Sequence, residues 1–201
     1  MGPNGRPSRR GWSARQLQIL DQFEGIMVRE GFRHLTIGDL AGRLHCSRRT
    51  LYSLAPSKEG LVLLALGRLL DRTGDSARRR AEEGADPGVR IEAYLEAAIE
   101  PLRAASPAFG ADVQAYAPTK RLYDRHQELT IGALERLVDE GARSGAFRRA
   151  NPALIAQILD AALTRLRDPA VHEKAGVTRP EAFAELAALL RHGLRPADPA
   201  R

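Results

Sequence analysis

The stretch Leu35–Leu54, "LTIGDLAGRLHCSRRTLYSL", leaves its chain little choice of local structure. Thr36 and Asp39 have the spacing of a capping box, and Leu35 and Leu40 flank that cap as a hydrophobic staple. Ile37, Leu40, Ala41 and Leu44 then follow at helical spacing and form one apolar face. Ser47 stands as a second N-cap, with Cys46 and Leu51 as its staple pair. Leu51 and Leu54 face inward, which leaves Arg48, Arg49, Tyr52 and Ser53 on the opposite side. Caps this close together permit two short helices joined by about three residues, a helix-turn-helix.

The second of these helices opens with Arg48 and Arg49, where the helix dipole makes positive charge least favourable. A negative partner outside the chain would resolve the conflict. The charge distribution points the same way. Residues 1–58 carry ten basic and four acidic side chains, whereas residues 59–201 carry twenty-one of each, so the whole net charge of +6 lies in the first part. Such asymmetry reads as a basic module for a polyanion joined to a neutral module. A solvated basic surface is the plainer alternative.

The remaining sequence is patterned as helix throughout, which predicts an all-α fold of about nine helices. The first helix is expected from Ser13 to about Glu30, with Leu17, Leu20, Phe23 and Met27 inward and Gly31 as C-cap. Ser57 caps a long helix whose stretch Leu61–Leu70 is nearly all apolar. Pro101 predicts a kink or stop after a helix from Gly88, and Ser106-Pro107 opens a short helix carrying Phe109, Val113 and Tyr116. Residues 119–144 form another long helix. Asn151-Pro152 caps the next, and a polar stretch from Asp168 to Arg179 separates it from the last. The expected organisation is a disordered basic tail over residues 1–12, a helix-turn-helix domain over 13–58 and a ligand-binding and dimerisation domain over 59–201. Arg6, Arg9 and Arg10 in the tail either form an arm for a minor groove or stay unbound.

Several function classes are disfavoured. The apolar fraction of 43% and charged fraction of 28% are those of a soluble globular protein. The longest apolar run, Leu61–Leu66, is too short to span a bilayer, and the basic N-terminus lacks the apolar stretch of a secretory signal, so a cytoplasmic protein is expected. The single cysteine, Cys46, excludes an intramolecular disulfide and reads as a small core residue. The histidines at 34, 45, 126, 172 and 192 have no ligand spacing, and no nucleophile–base arrangement is evident. No catalytic residue, metal site or cofactor is therefore expected, and the chain reads as a non-enzyme.

In the order of its elements the sequence resembles TetR-family transcriptional regulators. The N-terminal match runs through Gly31-Phe32, Thr36, Ser47-Arg-Arg-Thr-Leu-Tyr52 and Ser57-Lys-Glu-Gly-Leu61, and "LVDEGARSGAFRRANPALIAQIL" is similar to the family's join between its seventh and eighth helices. The family usually has glycine where His45 stands and an aromatic where Ala55 stands. The resemblance implies a DNA-facing set of Thr36, Ser47, Arg48, Arg49, Thr50, Tyr52, Ser53 and Lys58. Arg48 and Arg49 would meet guanine edges or phosphates, and the hydroxyls of Thr50 and Tyr52 the backbone. The Tyr52 ring could equally rest on the core.

It also implies a ligand pocket among the fourth to seventh helices, where Tyr94, Leu102, Phe109, Tyr116, Tyr123 and His126 fall. Arg103 and Arg121 either pair with an acidic ligand or lie exposed. The apolar stripes on residues 152–167 and 181–194 are wider than a small bundle needs to bury, and in the family such helices pair across a two-fold axis. The expected protein is thus a homodimeric, ligand-responsive repressor of a palindromic operator in double-stranded DNA, released by an unidentified small molecule. The alternative is a helical small-molecule-binding or protein-interaction dimer that no longer reads DNA.

Overall fold

Most helices of this chain start where a side chain can accept a free backbone N–H. The computed structural model describes residues 11–196, apart from the side chains of Leu102 and Pro169. It contains α1 (Ala14–Glu30), α2 (Ile37–Arg43), α3 (Arg48–Leu54), α4 (Lys58–Glu82), α5 (Pro87–Ile99), α6 (Pro107–Ala115), α7 (Ala117–Arg143), α8 (Pro152–Arg165), α9 (Pro169–Ala175) and α10 (Arg179–Gly193). Ser13, Thr36, Ser47, Ser57, Asp86, Ser106, Asn151, Asp168 and Thr178 each accept a first-turn N–H, and only α7 starts without such a cap. No strand occurs among the described residues.

Where about nine helices were expected, the described residues form ten. The polar stretch after Asp168 contains α9: the Asp168 carboxylate accepts Ala170 N–H at 3.0 Å, and Gly176 ends the helix at φ +65°. Pro101 acts as expected, because α5 stops at Ile99 and gives way to a 3-10 turn over Glu100–Leu102. Arg6, Arg9 and Arg10 lie outside the described residues. Trp12 packs against the core, with the Arg68 guanidinium 5.5 Å from its ring centre.

Two hydrophobic cores lie along the molecule. The first joins α1, α2 and α3 to the first half of α4, as far as Leu70, and includes Phe109 and Val113 of α6. The second joins Ala77 and Ala81 of α4 to α5, α7, α8 and α10. Helix α4, 25 residues and therefore about 37 Å long, runs through both.

Helix α6 is fastened to the head by polar contacts as well. Ser106 N donates to Val28 O at 2.9 Å, and the Asp112 carboxylate accepts Phe32 N at 2.6 Å and Arg33 N at 2.9 Å, just beyond the end of α1. A charge network ties α1 to α4. Arg68 and Arg72 both meet Asp21, at 2.7 and 2.9 Å, and both meet the buried Glu24, at 3.1 and 2.6 Å. Displacement of α4 or α6 therefore has mechanical paths to the head.

Candidate nucleic-acid interface and ligand cavity

The helix-turn-helix forms as its caps dictate. Thr36 Oγ1 accepts Asp39 N at 3.1 Å, while Asp39 Oδ2 accepts Thr36 N at 2.8 Å and the Thr36 hydroxyl at 2.7 Å. That hydroxyl's one proton is thus committed to the capping box. Ser47 Oγ accepts Thr50 N at 3.0 Å and lies 2.9 Å from Thr50 Oγ1. Leu35, Leu40, Leu44, Leu51 and Leu54 are all buried, so both inward faces are filled.

The turn between them carries an unusual residue. His45 has φ +47°, the one positive φ at a non-glycine among the described residues. A left-handed backbone at a non-glycine residue costs on the order of 1 kcal/mol. Arg15 from α1 steadies the turn by donating to the carbonyls of Leu44 and His45, at 3.3 and 3.0 Å. Sequence patterning offered no sign of this contact, which spans some thirty residues of chain. Ala55 is buried where an aromatic was the family's usual residue, and Cys46 is half-buried against the first core.

The outer face of α3 is open. Arg48 and Arg49 are exposed at its first turn, and among the described residues no carboxylate lies within ion-pair distance of either. Tyr52 is 51% exposed, so its ring does not rest on the core. The Ser53 hydroxyl donates to Thr50 O at 2.7 Å, on the same outward side. Lys58, at the start of α4, donates to Arg33 O at 2.8 Å and sits half-buried beside the α1–α2 loop. Arg43 adds little to the positive field, because both its terminal nitrogens meet Glu30, at 2.8 and 2.5 Å.

The predicted pocket residues divide into several places. Tyr123 and His126 of α7 line a small cavity of about 70 Å³ with Leu95, Ile99, Leu163 and Phe183. Tyr94 is buried in the second core and faces a separate hollow of about 180 Å³, which His126 also borders. Phe109 is buried against α1 in the first core, and Tyr116 sits half-buried where α6 meets α7. Of Leu102 only the backbone is described, in the 3-10 turn. Arg103 pairs with Glu100 at 2.9 Å, and Arg121 is exposed.

The small cavity adjoins a wider one of about 640 Å³ that opens past α6. Gln127, Arg167 and Arg179 line both and so form their shared wall. The two arginines went unread in the sequence because they flank the polar segment around α9, far along the chain from α7. Burial pushes the His126 imidazole below its ordinary value, so the ring is neutral near pH 7. Among the described residues no group of three or more His, Cys, Asp or Glu could hold a metal ion. No described helix is long and apolar enough to cross a membrane.

No protein-family model and no curated protein sequence matches the chain. Solved structures do. A transcriptional regulator from Saccharomonospora viridis in complex with choline is similar at a TM-score of 0.74 and 20% identity, over 90% of this chain and 98% of that one. A TetR transcription regulator from Haloarcula marismortui is similar at 0.73 and 16% identity, over 92% and 100%. The regulator FadR from Bacillus subtilis, in complex with stearoyl-CoA, is similar at 0.67 and 13% identity, over 89% and 99%. The chain has the fold of these all-helical regulators.

Proposed function

We propose that this chain is a homodimeric, sequence-specific DNA-binding transcriptional regulator, a repressor released from a palindromic operator by a small molecule. The observation that carries the reading is the outer face of α3, where Arg48 and Arg49 open a helix with no carboxylate among the described residues to balance them. Phosphates or guanine edges supply the negative charge that this helix start favours. The fold, that of solved regulators, supports the same reading. Arg48 and Arg49 read bases, while Tyr52, Ser53 and Lys58 position the helix on the backbone. Ser47, Thr50 and Thr36 hold the two helices in place, Thr36 through its cap on α2 and not as a free phosphate donor.

Dimerisation is supported by apolar side chains left in water. Leu154 and Ile158 of α8 are 58% and 55% exposed, one helical turn apart, and Leu189 of α10 is 64% exposed. A second copy covering them would place two α3 helices to read successive major grooves, about 34–36 Å apart. A ligand that prefers a state with different head spacing would weaken operator binding, and α4 and α6 carry that change to the head. The test is selection of bound fragments from the host's sheared genomic DNA at near-physiological salt, followed by sequencing. Recovery of one palindromic motif is expected. Recovery of unrelated fragments, or none, overturns the reading and leaves a helical ligand-binding dimer.

A further inference from the structure

The shared wall of the two cavities carries an unbalanced charge. The inner cavity is lined by apolar side chains of α5, α8 and α10, by the neutral His126 and by the guanidinium-bearing Arg167 and Arg179, with no carboxylate among its lining residues. Arg179 is half-buried and, among the described residues, makes no ion pair or side-chain hydrogen bond. Arg167 stacks on the Tyr123 ring, its Cζ 4.5 Å from the ring centre, and meets Asp124 only at 3.4 Å. Asp124 itself is held more closely by Lys120, at 2.6 Å.

The outer cavity adds Lys120 and four carboxylates, Asp124, Glu128, Asp160 and Asp168, and so carries no excess of positive charge. Asp168 pairs with Arg165 and caps α9, and Asp160 accepts the Gln127 amide at 2.5 Å. Glu128 is exposed. Among the described residues the guanidinium left without a counter-charge is therefore that of Arg179, at the mouth of the carboxylate-free inner cavity and beside the loosely paired Arg167. Half-removed from water and lacking a full counter-charge, such groups favour an anion over a neutral or cationic ligand.

Resting on the ligand-responsive reading above, we propose that the effector is an organic anion with an apolar body. Its carboxylate or phosphate bridges Arg167 and Arg179. Its apolar part enters the slot formed by Leu95, Ile99, Leu163 and Phe183, and any bulkier remainder occupies the outer cavity. A quaternary ammonium placed in the inner cavity would face Arg167 and Arg179 with no carboxylate in its lining.

Calorimetric titration of the full-length protein without DNA tests this with a matched set: octanoate, 1-octanol and octyltrimethylammonium. Octanoate should bind saturably and bind at least tenfold tighter than either analogue. Arg179→Gln and Arg167→Gln should each weaken octanoate by about tenfold, the loss expected for one charge-assisted contact. Arg179→Lys, which keeps the charge, should retain most of the affinity, and circular dichroism checks that each variant folds. Failure of octanoate to bind, equal or tighter binding of the ammonium, or octanoate affinity unchanged in both Gln variants would overturn the proposal. Operator binding is measured separately. If octanoate binds through the arginines yet leaves the protein–DNA affinity unchanged, the anion site stands and the repressor reading fails. If the operator is bound but octanoate is not, the DNA-binding reading stands and the anion site fails.

Discussion

Gly141, in the last turn of α7, separates two lines of reasoning that predict opposite signs. Helix propensity alone says that Gly141→Ala stabilises the protein by about 1 kcal/mol, since alanine restricts the unfolded chain and glycine does not. The tertiary structure says otherwise. The Phe147 ring lies on Gly141, and a Cβ added there would stand 2.9 Å from Phe147 Cγ and nearer still to Cδ2 and Cε2. Phe147 is 6% exposed within the second core, and its backbone N–H donates to Gly141 O at 3.0 Å, so ring and backbone are both fixed at this turn. Expelling the ring forfeits burial and leaves a cavity, together costing about 3–5 kcal/mol in comparable cores. Subtracting the propensity gain leaves a net loss of about 2–4 kcal/mol. For a chain of this size that lowers Tm by roughly 4–16 °C. Thermal and urea unfolding at one fixed protein concentration measure it. In a Phe147→Ala background the obstacle is gone, and Gly141→Ala should then stabilise by about 1 kcal/mol, a reversal that the double-mutant cycle isolates. Stabilisation by Gly141→Ala in the wild-type background would mean that the Phe147 ring does not block a Cβ at this position.

Three further outcomes are expected. Arg48→Ala with Arg49→Ala should abolish preference for one sequence, and the slope of log affinity against log salt should become shallower by about 0.9 for every phosphate the variant no longer neutralises; filter binding over a salt series reads both. Leu154→Glu with Ile158→Glu should shift sedimentation from dimer to monomer and weaken DNA binding with it, while the helical circular-dichroism signal persists. Asp112→Ala leaves the partly buried Phe32 N–H without its acceptor and should cost about 1–3 kcal/mol in urea unfolding, whereas Asp112→Asn, which keeps an acceptor oxygen, should cost less.

What was legible in the sequence is what short-range physics decides. The caps at Thr36 and Ser47, the inward Leu51 and Leu54 and the outward Arg48, Arg49 and Tyr52 all follow from spacings of three or four residues, and they stand where those spacings put them. The signal for α9 was equally local: Asp168-Pro169 repeats the Asn151-Pro152 start of α8, but its seven residues carry no apolar stripe to draw attention. The tertiary structure decided the rest. Arg43 counts as free positive charge in the sequence, yet Glu30, brought alongside by the fold, neutralises it. Phe109 falls in the region expected to hold a pocket, but docking of α6 through Ser106 and Asp112 places it in the head's core. Arg167 and Arg179 carry no local mark of a site and become one because α7, α8 and α10 converge there. Capping and amphipathic periodicity act within a few turns of one helix and so are written in neighbouring residues. A cavity wall is assembled from helices far apart in the chain, and its chemistry exists only once their packing has brought those side chains together.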